Sequence, residues 1–339
     1  MEKDIQSGTR EPEDRPYTAP KNLPVTVRGF DMEERATQFA HLAGVYIQEL
    51  SRQIDLSRLD GVTIAFDYNQ ALLDLDRGYL YSHRLTPSDE FAIGVAMTPS
   101  VIRDGIVKSH IVLNAALAIA LEDPNSEHFK LALHTLAHEC AHVEITHRFD
   151  TAFPNVLLQN VYKNIHDAAR WQINLACWDE YAATWISAPF GHDPTAGYEE
   201  TFILLLNETR SKANALIKAY RRHGDVTKIM AEIYAAYGSL MKFAAYHLGN
   251  MAGQRLSLMD LPKTKAALKG HWFASYFERL GVLCKRIADD YGHWSDQSSF
   301  EALGDLADEL VVEGGLIVSH RNDGSLYMDI PFTSETMPE

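Results

Sequence analysis

The chain has 339 residues, 46% of them apolar, and carries a net charge of −15. That apolar content suffices for one large or two medium domains, and the acidic balance argues against a phosphate-neutralising grip on nucleic acid or anionic membrane. Three widely spaced cysteines, Cys140, Cys177 and Cys284, offer no disulfide framework, which fits a reducing compartment. Residues 1–28 are polar, contain proline and lack both periodicity and a secretory apolar core, so they read as a flexible tail. Nowhere is an apolar run long enough to span a bilayer, and the expected setting is the cytosol.

From Asp31 to about Leu56, apolar positions recur at helical spacing (Phe39, Leu42, Ala43, Tyr46, Ile47, Leu50) and predict an amphipathic helix. The runs GVTIAFDY (61–68), FAIGVAMT (91–98) and SHIVLN (109–114) are rich in strand-forming residues. A small sheet is therefore expected ahead of residue 120. Asp123 and Pro124 read as the cap and first position of a helix that runs to about His147. Helical patterns follow over 156–186, 198–222, 225–249, 262–291 and 301–310, with the broad apolar faces of a bundle. Residues 315–330 alternate on either side of Asn322-Asp323-Gly324 and predict a β-hairpin. The expected organisation is a tail (1–28), an α/β-type unit (29–194) and a helical region closed by the hairpin (195–339).

The chemistry concentrates in LALHTLAHECAHVEITHRF, residues 131–149. Its centre, His138-Glu139-Cys140-Ala141-His142, is an HExxH. On a helix, residues four apart share a face, so two imidazoles at that spacing can bind one Zn²⁺. Glu139, one residue round, reaches a metal-held water and takes its proton. With 15 His and 22 Glu in the chain, a chance HExxH arises in about 4% of shuffled sequences. The small Cys140 and Ala141 and the apolar Leu133, Leu136 and Ala137 set this one on a core helix.

A catalytic zinc needs a third protein ligand and an open position. Ile145 and Arg148 stand where a HExxHxxGxxH pattern requires Gly and His, which excludes that class. Glu180, in CWDEYAATWIS (177–187), is the first candidate, because Ala182 and Ala183 allow close helix approach. His166 and His134 are the alternatives. His147 lies about 140° round the helix from His142 and reads as a bystander. No GxxxxGK[ST] or GxGxxG loop is present, so nucleotide hydrolysis and dinucleotide redox leave the short list.

Thr135-Leu136-Ala137-His138-Glu139 with His142 resembles the TLAHExxH of ImmA/IrrE-type metallopeptidases, which are HExxH proteins of the gluzincin kind. Ile111-Val112-Leu113-Asn114 is similar to the edge strand those proteins carry before the active-site helix, and Glu180-Tyr181-Ala182-Ala183 to their third-ligand signature. The resemblance covers roughly residues 91–190. It implies a zincin-like α+β fold, with a small mixed sheet on the HExxH helix followed by the bundle and the hairpin. It implies His138, His142 and Glu180 as zinc ligands and Glu139 as general base, with Zn²⁺ as the cofactor. It also implies a protein or peptide substrate, a transcriptional repressor among the candidates, lying extended along a strand. A SprT-like protease, with His166 as third ligand, is a second zinc reading that the acidic balance disfavours. A non-catalytic regulator acting through its helical half is the alternative from another class, and an enzyme acting on a small substrate is a third. The sequence does not fix an oligomeric state.

Overall fold

The computed structural model describes residues 15–80, 84–86 and 95–337. It is an α+β chain that divides into two compact units, residues 1–148 with 190–192, and residues 149–189 with 193–339.

The first unit is built on a mixed sheet. Strand β1 (Val25–Arg28) is followed by α1 (Glu33–Leu50), β2 (Leu59–Ala65), the short α2 (Tyr68–Asp74), β3 (Ala96–Met97), β4 (Ser100–Arg103) and β5 (Ile106–Asn114). Strands β1, β2 and β5 run parallel, while β3 and β4 pair antiparallel along the outer side of β5. β2 and β5 are buried on both faces (Val62, Ile64, Ile111, Val112, Leu113), as expected of inner parallel strands. The return from β4 to β5 passes through Asp104-Gly105, both at positive φ (53° and 76°). That is the backbone of a tight hairpin turn whose twist matches the strands.

Two sequence expectations change here. The tail does not extend to residue 28: β1 pairs Val25–Arg28 with Val62–Ala65, and the Thr18 hydroxyl donates to the Ser51 carbonyl at 2.8 Å. Residues 1–14 of that tail and 91–94 of the FAIGVAMT run lie outside the described residues. The segment Ile111–Asn114 is no edge strand, because β5 stands between β2 and β3–β4. The edge is β3–β4, which short length and a break at Thr98-Pro99 conceal from a periodicity reading.

After α3 (Ala115–Ala118) and one 3₁₀ turn (Ile119–Glu122) comes α4 (Glu127–Ala152), longer at its C-terminal end than expected. Its start is not at Asp123. That carboxylate accepts from the Asn125 amide in a local turn, and the Ser126 hydroxyl accepts from the His128 amide as the cap.

The second unit is helical: α5 (Ile165–Ser187), α6 (Thr195–His223), α7 (Val226–Gln254), α8 (Pro262–Leu268), α9 (Ala274–Asp289) and α10 (Ser298–Glu313). Strands β6 (Ile317–His320) and β7 (Leu326–Asp329) form the expected antiparallel hairpin. The helix predicted from 156 begins only at Ile165. Asn155 and Leu158 adopt positive φ, which breaks a helix, and Asn164 caps α5 by accepting from the Asp167 amide. The pattern over 262–291 is two helices, parted at Gly270 with φ 70°. α7 packs closely on α5, since a side chain at Gly249 would overlap the Tyr181 carbonyl and the Thr184 hydroxyl. Trp178, Trp294, Phe300, Phe149 and Phe153 interlock in edge-to-face and stacked pairs that seat α5. No helix among the described residues is long and apolar enough to cross a membrane.

Candidate metal centre

Helix α4 buries Ala132, Leu136, Ala137, Cys140, Ala141, Val143 and Ile145, the apolar set that fixes its rotation. This rotation sets His138 and Glu139 inside (9% and 6% exposed) and leaves His142 half-buried. The two imidazoles meet edge to face, ring centroids 4.7 Å apart. Their Nε2 atoms are 3.1 Å apart. Two nitrogens bound at about 2.0–2.1 Å to one tetrahedral zinc stand roughly 3.3–3.4 Å from each other. The pair therefore fits two adjacent corners of a zinc site with a shift of a few tenths of an ångström. One Nε2–H donating to the other nitrogen satisfies the same distance in the metal-free chain.

Glu139 is held by a residue that sequence reasoning placed only in a strand. The Thr98 hydroxyl, at the break between β3 and β4, lies 2.6 Å from Glu139 Oε2 and 3.1 Å from its backbone carbonyl. A threonine at a strand break carries no spacing signal, so this contact was not legible beforehand. Tyr68, buried at the start of α2, has its phenol pushed well up, first by burial and then by the negative charge of Glu139. The Cys140 thiol is fully buried and pushed up, mainly by burial, which suits packing and not nucleophilic use.

The other histidines of the stretch have structural duties. His134 Nδ1 is 3.1 Å from the Phe190 carbonyl. That contact holds the 190–192 segment, where the His192 amide also donates to the Lys130 carbonyl. His147 bonds Ser57 and faces Asp55. Its hydrogen bond is the leading cause that drives the Asp55 carboxyl well below the ordinary range, against the opposing effect of burial. Glu144 accepts from the Asp55 amide at 2.6 Å.

Glu180 belongs to the second unit, half-buried on α5 two residues after the fully buried Trp178. Ala182 and Ala183 beside it are 0% exposed. His166, on the same helix, has both ring nitrogens engaged. Nδ1 meets His320 at 3.0 Å, and Nε2 meets Tyr234 and Asp308 at 2.8 and 3.0 Å. Arg170 pairs with the same Asp308. His247 is sealed in the bundle against Thr264 at 2.9 Å. Tyr181 is 5% exposed, with its phenol raised chiefly by burial. Tyr246 stacks on Phe243 and packs against Tyr198.

No protein-family model matches the chain, and neither a curated protein nor a solved structure is significantly similar to it.

Proposed function

We propose that the chain is a zinc-dependent peptidase of zincin-like architecture, related to the ImmA/IrrE type, in which His138, His142 and Glu180 hold the ion. The observation that carries the reading is the 3.1 Å approach of the His138 and His142 Nε2 atoms on a helix whose Glu139, next in the chain to His138, is buried. The donor set supports it. His138 and His142 lie one helical turn apart on α4, and Glu180, the carboxylate that the resemblance implies, is taken as the third ligand. Two imidazoles and a carboxylate make a catalytic zinc set that leaves a fourth position open.

Zinc held by His138, His142 and Glu180 would supply Lewis acidity toward the scissile carbonyl and the attacking water. Glu139 is the group that would take the proton of the attacking water and return it to the leaving amine. Thr98 fixes the carboxylate by donating to one oxygen, which leaves the other for the water. The outer edge of β3–β4 supplies the substrate rail. Val95 accepts from the Asn114 amide and Pro99 from the His110 amide, so antiparallel alternation turns the N–H and C=O groups of Ala96 and Thr98 outward. A polypeptide added there as a further strand runs past Glu139. Cleavage of a protein in the cytosol, with a transcriptional regulator as one candidate, is the setting this reading supplies.

The test is a zinc-loaded preparation offered unfolded protein substrates such as casein, with Glu139→Gln as the control. The variant is expected to hold as much zinc as the parent and to lose at least about a hundredfold in turnover, the scale of a lost general base. Undiminished turnover in Glu139→Gln would rule this mechanism out. A chain that never cleaves, yet keeps its cellular effect in Glu139→Gln, would favour the non-catalytic regulator.

A further inference from the structure

The second unit holds a groove of about 430 Å³ between α5 and α7, lined largely by small and apolar side chains. The two helices run parallel, since Gly238 lies against Ile173 and Gly249 against Tyr181. On α5 the lining positions Ala169, Ile173 and Ala176 recur at spacings of four and three. The next member of that stripe, four residues on, is Glu180. The groove and the proposed third zinc ligand thus share one face of one helix.

Lys242 closes the groove at the Glu180 end. It is half-buried and lies 5.1 Å from the centre of the Phe243 ring. Among the described residues it enters no ion pair. A half-buried cation in an apolar groove of a chain with net charge −15 is complementary to an anionic group on a ligand. Ala176 and Glu180 are one helical turn apart, roughly 6 Å along the axis, a distance an extended peptide covers in about two residues.

We propose that this groove receives the substrate polypeptide on one side of the cleavage point. Small or apolar side chains fill it, and an acidic side chain pairs with Lys242 about two or three residues from the scissile bond. The inference rests on Glu180 as a zinc ligand. The peptidase it describes therefore selects acidic-apolar segments.

The experiment measures binding apart from turnover. Fluorescein-labelled nonapeptides of alanine and leucine, identical except for Glu, Gln or Lys scanned through each position, are titrated by anisotropy into zinc-loaded Glu139→Gln protein. Glu peptides are expected to bind about tenfold more tightly than Lys peptides at one or two positions. Lys242→Glu should invert that order and Lys242→Met should abolish it, both with zinc content unchanged. Ala235→Trp, which fills the groove from an exposed lining position, should weaken all peptides alike. Absence of charge selection in the parent, or selection indifferent to Lys242 and Ala235, overturns the proposal. Charge-selective binding without zinc-dependent cleavage by the parent chain overturns the peptidase reading while leaving the groove a peptide site.

Discussion

Thr98 decides how Glu139 works. A buried carboxylate with one oxygen bonded at 2.6 Å by a hydroxyl has a fixed orientation, and hydrogen bonds to charged groups are worth roughly 1.5–3 kcal/mol. Thr98→Val preserves shape and removes the donor. It should lower turnover about 10- to 100-fold with zinc content unchanged, while Thr98→Ser restores most of the rate. Steady-state kinetics on the two variants checks this, and equal losses in both would assign Thr98 to packing alone. The two histidines and Glu139 were legible in the sequence because HExxH is a spacing rule on a helix. Thr98 was not, because its contact depends on where a strand breaks 41 residues away. His134 and His147 separate from the pair for a simple reason: each bonds a chain segment, at Phe190 and at Ser57.

At the scale of elements, α5 and α7 form a pair whose contact depends on absent side chains. Gly249→Ala would drive a methyl into the Tyr181 carbonyl and the Thr184 hydroxyl, and overpacking of this kind costs about 1–3 kcal/mol. Denaturant unfolding should show that loss, with zinc affinity falling too if Glu180 is displaced. The same bundle contains a pH-sensitive packing group. Burial pushes the His247 imidazole down to about 4, against a smaller opposing pull from Glu199. In the unfolded chain the ring titrates near 6.5. Between these values the unfolded chain binds more protons, so stability present at neutral pH is lost as pH falls from about 6.5 toward 4, on the order of 3 kcal/mol. Unfolding midpoints at pH 7 and 4.5 should diverge in the parent and converge in His247→Gln. The long helices were readable from the periodicity of apolar residues, but their ends and the short α2 and α3 were not. Asn164 caps α5 eight residues beyond the predicted start, and Gly270 splits one predicted helix into two. Such boundaries are set by single backbone conformations that a period cannot register.

For the whole molecule, the order of strands followed by helices and a final hairpin was legible as α+β, since local pattern determines element type. The topology was not. β5 lies inside the sheet and β3–β4 at its edge, because pairing is settled by contacts between segments distant in sequence. The proposed centre likewise needs residues 138, 142 and 180 together, and helical spacing relates only the first two. Its most direct test is metal content. Protein purified and equilibrated with zinc, then freed of excess, should retain about one zinc per chain by elemental analysis. His142→Ala and Glu180→Ala should lose it while keeping the parental circular dichroism. Folded parent protein that retains no zinc, or full zinc retention in both folded variants, would contradict the account.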